Sequence, residues 1–286
     1  MKIVGRVKEL WRFPVKSMGG ERLREATLTP RGIPGDRGWA LRDEKSGEVR
    51  GAKKMPALIR CTAAYVQEPA GDSIPPALIA LPGGTSVLST DPAANGLLSA
   101  LLGRSVTIWP QQPADRLDFY RRHPDNPDLA VELRGMLGRL PDEPMPNLDG
   151  LPPEIFEFTS PLGTYFDAFP LHLLTTASLR EIGSCNRAAS FDVRRFRPNI
   201  LIENEPELSR YEETQWAGGE LAIGDARIAV TIPAMRCVMT TLEQPGVPKD
   251  PSVLRTIVRD SGQTLGVYAN ITRSGKIALG DEVTLL

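Results

Sequence analysis

The sequence predicts a mainly β protein of the α+β class, built as two β-barrel domains with a few short helices. Three observations carry that prediction. Apolar residues alternate with polar ones in many short segments bounded by turn residues. Only a few segments show helical spacing. Strands and helices do not alternate as they do in a βαβ sheet, and no internal repeat is evident.

The elements follow in order. Ile3, Val7, Trp11 and Phe13 alternate with Arg6, Lys8 and Arg12, giving a half-buried first strand. A second strand covers residues 22–28. Pro30-Arg31-Gly32-Ile33-Pro34-Gly35-Asp36 is a turn, Arg37 begins a third strand, and Asp43-Glu44-Lys45-Ser46-Gly47 is a hairpin loop. Further strands run over 59–67, 78–81 and 106–109. Asp91-Pro92 caps and starts a helix that ends at Leu102 before Gly103. Residues 111–153 are rich in proline and charge, a linker or long excursion with a short helix over 130–140. Structure resumes with a strand over 171–174, and Thr175-Thr176 caps a helix over 177–182. Strands follow at 199–202, 220–223 and 227–232, then a helix at 252–260 from the spacing of Val253, Leu254, Ile257 and Val258. The chain finishes with strands at 265–272 and 282–286.

Composition narrows the function. Lys and Arg number 34 against 35 Asp and Glu, a net charge of -1, which argues against bulk attraction to nucleic acid or an anionic membrane. No apolar run is long enough to span a bilayer, and charges interrupt any signal-peptide core, so a cytoplasmic protein is expected. Three scattered cysteines make neither a disulfide framework nor an iron–sulfur cluster. The two histidines, His123 and His172, exclude a three-histidine metal site, and both read as structural or exposed.

Three segments could carry chemistry. Cys237 follows Arg236 at the end of a strand interrupted by Pro233, and precedes Thr240 and Thr241. A neighbouring cation favours thiolate, the form that binds soft metals, while a buried packing cysteine reads equally well. If both residues are strictly strand, they point to opposite faces, so a shared site needs a bulge or loop there. Cys61 and Cys185 have no such setting. In Arg194-Arg195-Phe196-Arg197-Pro198-Asn199, an extended chain puts Arg195, Arg197 and Asn199 on one face, suited to phosphate and heterocycle edges or to surface ion pairs. Lys16 and Ser17 lie in a glycine-rich turn where backbone N–H groups are free for an anion.

Taken in order, Phe13-Pro14-Val15-Lys16-Ser17, Gly35-Asp36-Arg37, Leu171-His172-Leu173-Leu174-Thr175-Thr176, Arg195-Phe196-Arg197-Pro198-Asn199, Arg236-Cys237-Val238-Met239-Thr240-Thr241 and Leu265-Gly266-Val267-Tyr268-Ala269-Asn270 resemble the MOSC proteins, as does Gly280-Asp281-Glu282-Val283. The resemblance spans nearly all but the proline-rich middle. It implies a MOSC N-terminal β-barrel domain over 1–110, a linker or excursion over 111–160, and a MOSC β-barrel over 161–286. Members similar to the mitochondrial amidoxime-reducing component bind the molybdenum cofactor (molybdopterin) between the two. By that resemblance Cys237 is the metal ligand and catalytic thiolate. Lys16, Ser17 and Arg37 approach the cofactor from the first domain; Thr175, Thr176, Arg197, Asn199 and Arg236 do so from the second.

The implied activity is reduction of N-hydroxylated or N-oxygenated small molecules. With no iron–sulfur cluster in the chain, electrons come from a separate flavin, haem or Fe–S protein. MOSC domains also occur in cofactor sulfurases, so a sulfur carrier or molybdenum-cofactor carrier using Cys237 is the alternative.

Overall fold

A computed structural model describes residues 1–71, 73–204 and 210–286. In the first half, β1 (Lys2–Arg12) leads through a loop to β2 (Glu21–Leu23) and β3 (Glu25–Leu28). β4 (Trp39–Asp43), β5 (Glu48–Arg50), β6 (Thr62–Tyr65), β7 (Ala77–Ala80) and β8 (Ser86–Leu88) follow, then α1 (Ala93–Leu102) and β9 (Val106–Pro110). β5, β4 and β9 form one sheet and β6, β7 and β8 another. Val15, Met18, Trp39, Leu58, Ile59 and Leu98 fill the core between them. The α1 boundaries follow from its ends: the Ala93 N–H donates to Asp91 Oδ1 at 2.8 Å, and Gly103 stops the helix in the left-handed conformation.

The middle segment holds α2 (Leu117–Tyr120) and α3 (Leu129–Leu137). It packs against the first half through Phe119, Tyr120, Phe158 and Tyr165, which meet Ala40 and Val49. The second half adds β10 (Leu171–Thr175), α4 (Thr176–Cys185), β11 (Ile200–Asn204), β12 (Glu220–Ile223), β13 (Ala226–Met235), α5 (Pro251–Asp260), β14 (Thr264–Arg273), β15 (Gly275–Ala278) and β16 (Glu282–Leu285).

The mainly β expectation holds. Seven strands close a barrel in the order β11, β10, β14, β13, β12, β16, β1, because β1 also pairs with β11. All neighbours are antiparallel except β10 and β11. Val7, Leu10, Ile200, Ile228, Val267 and Val283 are among the side chains that fill it. The first strand of the chain thus completes the barrel of its second half, and the loop leaving β1 starts from the barrel wall.

Several expectations need correction. Ile3 does not face the core and is 45% exposed, because β1 shifts register between Ile3 and Gly5, which puts Ile3 out of phase with Val7. The strand expected over 22–28 is two strands with different partners: β2 pairs with β1, and β3 with β15. Residues 193–195 form a 3₁₀ turn rather than a strand, so Arg195, Arg197 and Asn199 do not share a strand face.

Candidate functional site

The loop after β1 is fastened to β4 by short backbone hydrogen bonds. The Lys16 N–H donates to Trp39 O at 2.8 Å, and the Arg37 N–H donates to Phe13 O at 2.7 Å. Asp36 ties this loop to the barrel. Its Oδ1 accepts from the Phe13 N–H at 2.8 Å, its Oδ2 accepts from Asn199 Nδ2 at 2.9 Å, and it pairs with Arg37. Asn199 Oδ1 in turn accepts from the His172 N–H at 3.2 Å. One carboxylate and one amide therefore set how the two halves meet.

Cys237 lies just beyond the end of β13. The register with β14 shifts between Pro233 and Met235, as expected where a proline lacks its N–H, and the strand ends at Met235. This irregularity lets Arg236 and Cys237, adjacent in sequence, line the same cavity. Residues Val238–Thr241 then turn as a 3₁₀ helix. Arg195, only 1% exposed, holds that turn by donating to Thr240 O at 3.1 Å, Ser190 O at 2.8 Å and Pro248 O at 2.7 Å. From the other side, buried Arg139 donates to Arg236 O at 2.9 Å and to Gln263 Oε1 at 2.7 Å.

A cleft runs along this seam in two lobes that share Lys16, Ser17, Asp167, Met239, Tyr268 and Cys237. The first lobe is basic. Arg37, Arg197, Asn199, Arg236 and His172 line it. The Arg37 and Arg197 guanidinium groups lie 4.6 and 4.1 Å from the centre of the same Phe13 ring. Among the described residues neither Arg197 nor Arg236 has a carboxylate partner; Arg197 donates to Met18 O, and Arg236 to Leu265 O at 2.8 Å and Phe196 O at 3.2 Å. Burial, with the Arg37 charge nearby, pushes the Arg197 guanidinium down to about 9. Burial likewise lowers Arg236, and burial together with Arg236 holds His172 well below its ordinary value, so the imidazole is neutral.

The backbone carries the same signature. Among the described residues five non-glycine residues have positive φ, and three of them, Ser17 (69°), Arg37 (51°) and Arg197 (55°), line this lobe. Such conformations cost about 1–3 kcal/mol each and collect where a ligand demands them.

The second lobe is larger and mostly apolar. Leu133, Met136 and Leu137, spaced i, i+3 and i+4 on α3, face it together with Leu148, Leu151, Ile155 and Phe156. At the junction Lys16 and Lys53 share Asp167, at 2.8 and 3.7 Å. Burial alone would raise the Asp167 carboxyl, but the two lysines outweigh it and hold it well below the usual carboxylate range. Cys237 sits where the lobes meet and packs against the first-half core.

Seven of the nine residues singled out in the sequence come together in the basic lobe: Lys16, Ser17, Arg37, Arg197, Asn199, Arg236 and Cys237. Thr175 and Thr176 lie away from it. Thr175 is fully buried, caps α4 by accepting from the Ser178 N–H at 3.2 Å, and donates to Glu213 at 2.9 Å. His172, read as structural, lines the lobe and touches Arg236. Asp36, Lys53, Asp167, Arg139 and Tyr268 were not singled out. Asp36 and Tyr268 fall inside recognisable motifs, whereas nothing in the sequence marks Arg139. Cys61 is a fully buried core thiol pushed up to about 11 by burial, and Cys185 is exposed.

A closed β-barrel joined to a second β unit, with a basic cleft and a single cysteine along the seam, defines the class of protein. Residues 163–284 match the family model of the MOSC domain and residues 4–74 that of the MOSC N-terminal beta barrel domain; the chain belongs to the MOSC proteins that carry both. The two matches interlock in space, since β1 falls in the first match and closes the barrel of the second. The chain is similar to mitochondrial amidoxime reducing component 2 of Bos taurus and of Homo sapiens, each 25% identical over 98% of this chain and 83% of the relative. Mitochondrial amidoxime-reducing component 1 of Mus musculus is also 25% identical, over 99% of this chain and 83% of its own length. The crystal structure of the YUAD protein from Bacillus subtilis aligns over 99% of this chain and 96% of its own, with TM-score 0.45 and 12% identity.

The chemistry of the donor set bears on what the cleft holds. Among the described residues no three His, Cys, Asp or Glu side chains are grouped as a metal site. A metal at Cys237 must therefore bring most of its ligands with it. A cofactor that chelates its own metal and carries a phosphate fits a single soft thiolate beside unpaired arginines. No helix among the described residues is long and apolar enough to cross a membrane.

Proposed function

We propose that this protein binds the molybdenum cofactor in the basic lobe and reduces N-hydroxylated or N-oxygenated small molecules there. One observation carries the reading: the only cysteine on the cleft among the described residues stands at the junction of a basic lobe, in which Arg197 and Arg236 have no carboxylate partner, and an apolar lobe sized for an organic molecule. When bound, the cofactor supplies the redox chemistry of oxygen-atom removal.

The chain's own residues do the rest. Cys237 offers the thiolate, and Arg139 and Arg195 fix the backbone on either side of it. Arg37, Arg197 and Arg236 supply positive charge to the cofactor's anionic group, with Lys16 and Ser17 on the first-half wall. Neutral His172 holds its place against Arg236 without adding to the repulsion among the cations. The electron donor is a separate protein, in keeping with three scattered cysteines, and the setting is cytoplasmic.

Elemental analysis of protein purified from a cofactor-producing host tests this. Stoichiometric molybdenum is expected in the natural chain and none in Cys237→Ala. Molybdenum absent from both would refute the reading, and a cyanide-labile sulfur on Cys237 would replace it with sulfur carriage. Reduction of benzamidoxime with an artificial electron donor then distinguishes a reductase from a cofactor carrier.

A further inference from the structure

The apolar lobe contains one cation with no direct ion-pair partner among the described residues. Lys16 and Lys53 share Asp167. Arg50 holds Glu48 at 2.9 Å and Asp125 at 2.6 Å, and Lys54 pairs with Asp125 at 2.8 Å and with Glu132. Arg122 lines the same lobe, and among the described residues it has no carboxylate partner. Its Nη2 donates to Ile155 O at 2.9 Å and Phe158 O at 3.0 Å, which fixes the side chain. Its Nε is buried with no hydrogen-bond acceptor. A guanidinium taken out of water without an anion is costly, and a fixed one is a preorganised carboxylate receptor.

We infer that the apolar lobe is a binding site for small amphipathic anions, molecules with an aromatic or branched aliphatic body and one carboxylate. The carboxylate lies on Arg122, and the body lies against Leu133, Met136, Leu151 and Phe156. Glu48 attracts Arg122 through space but does not hydrogen-bond it, since its carboxylate is held by Arg50. Asp167 is likewise committed to its two lysines. A cationic body is disfavoured by the four other positive side chains on the wall. The site stands on the cavity and its charge pattern; that its occupant is the substrate rests on the function proposed above.

Isothermal titration of the purified full chain with 3-phenylpropanoate and its neutral amide, 3-phenylpropanamide, tests the inference. The acid is expected to bind at least about 10-fold more tightly than the amide, and Arg122→Gln to abolish that preference. Phe156→Ala should weaken both probes equally. Equal binding of acid and amide to the natural chain overturns the inference and needs no variant. Loss of the preference in Arg197→Met rather than Arg122→Gln would place the anion in the basic lobe and also overturn it. The preference should persist in Cys237→Ala, so a failure of the molybdenum reading and a failure of this one give different results.

Discussion

The two lobes of the cleft are built by different kinds of chain. The basic lobe is lined by residues at the ends of barrel strands and in one tightly fastened loop: Lys16 after β1, His172 in β10, Arg236 after β13. The apolar lobe is walled by α3 and residues 148–156, a proline-rich excursion anchored by a few ion pairs and one arginine clamp. On the function proposed above, the groups that would hold the cofactor stand on the barrel and its fastened loop, and the surface that would recognise a substrate body stands on the excursion. That division predicts that a backbone substitution in the barrel costs the most stability, that cutting the excursion's arginine clamp costs less and acts locally, and that removing a ligand-facing cation of the basic lobe costs little stability.

The largest effect is expected from Gly266→Ala in β14. Gly266 has φ of 78°, and a Cβ there would lie within 2.5 Å of His172 Nε2 and closer still to Leu173 O. The left-handed backbone and the backbone clash together should cost about 3 kcal/mol or more. Chemical denaturation reads this directly. Gly150→Ala, on the excursion with a similar positive φ and only the Ile232 side chain nearby, should cost less than half as much. Equal losses at both positions would break the comparison.

The barrel lobe was also the legible one. Alternation predicted the strands, and short motifs at their ends carried Lys16, Arg37, Arg197 and Cys237. What failed there failed for local physical reasons. A register shift after Ile3 turned that residue outward, and a 3₁₀ turn broke the arginine stripe, leaving Arg195 to clamp carbonyls. Thr175 entered the cofactor set by resemblance alone, whereas its residue type and position read as a helix cap; its hydroxyl is engaged with Ser178 and Glu213. The apolar lobe was illegible because its wall is assembled across long separations, as where Arg139 reaches Arg236, and proline-rich composition reads as linker. The pairing of Lys16 with Asp167 was hidden for the same reason.

Arg139→Met should give an intermediate effect. It removes three donated hydrogen bonds, to Arg236 O, Gln263 Oε1 and Leu137 O, and also relieves the burial of a charge, for a net loss of about 2 kcal/mol. The loss should be local. Limited proteolysis within residues 111–160 should speed up several-fold while the barrel stays intact. Unchanged proteolysis would mean that Lys54 and Arg50, through Asp125, hold the excursion without the clamp.

The smallest effect on stability, and the one that tests the basic lobe most sharply, is expected from Arg197→Met. The side chain is repelled by Arg37, loses solvation, has no carboxylate partner among the described residues, and holds one backbone carbonyl. Removing a charge in that position relieves desolvation and repulsion, so the variant should be as stable as the natural chain or more stable by about 0.5–1 kcal/mol. A methionine keeps the contact with Phe13 while leaving the positive φ in place. The same variant should lose most of its molybdenum when purified from a cofactor-producing host. A residue retained for packing would give the opposite pair of results, with stability lost and molybdenum kept. Thermal denaturation and elemental analysis on one sample therefore decide whether the basic lobe is held under strain for a ligand.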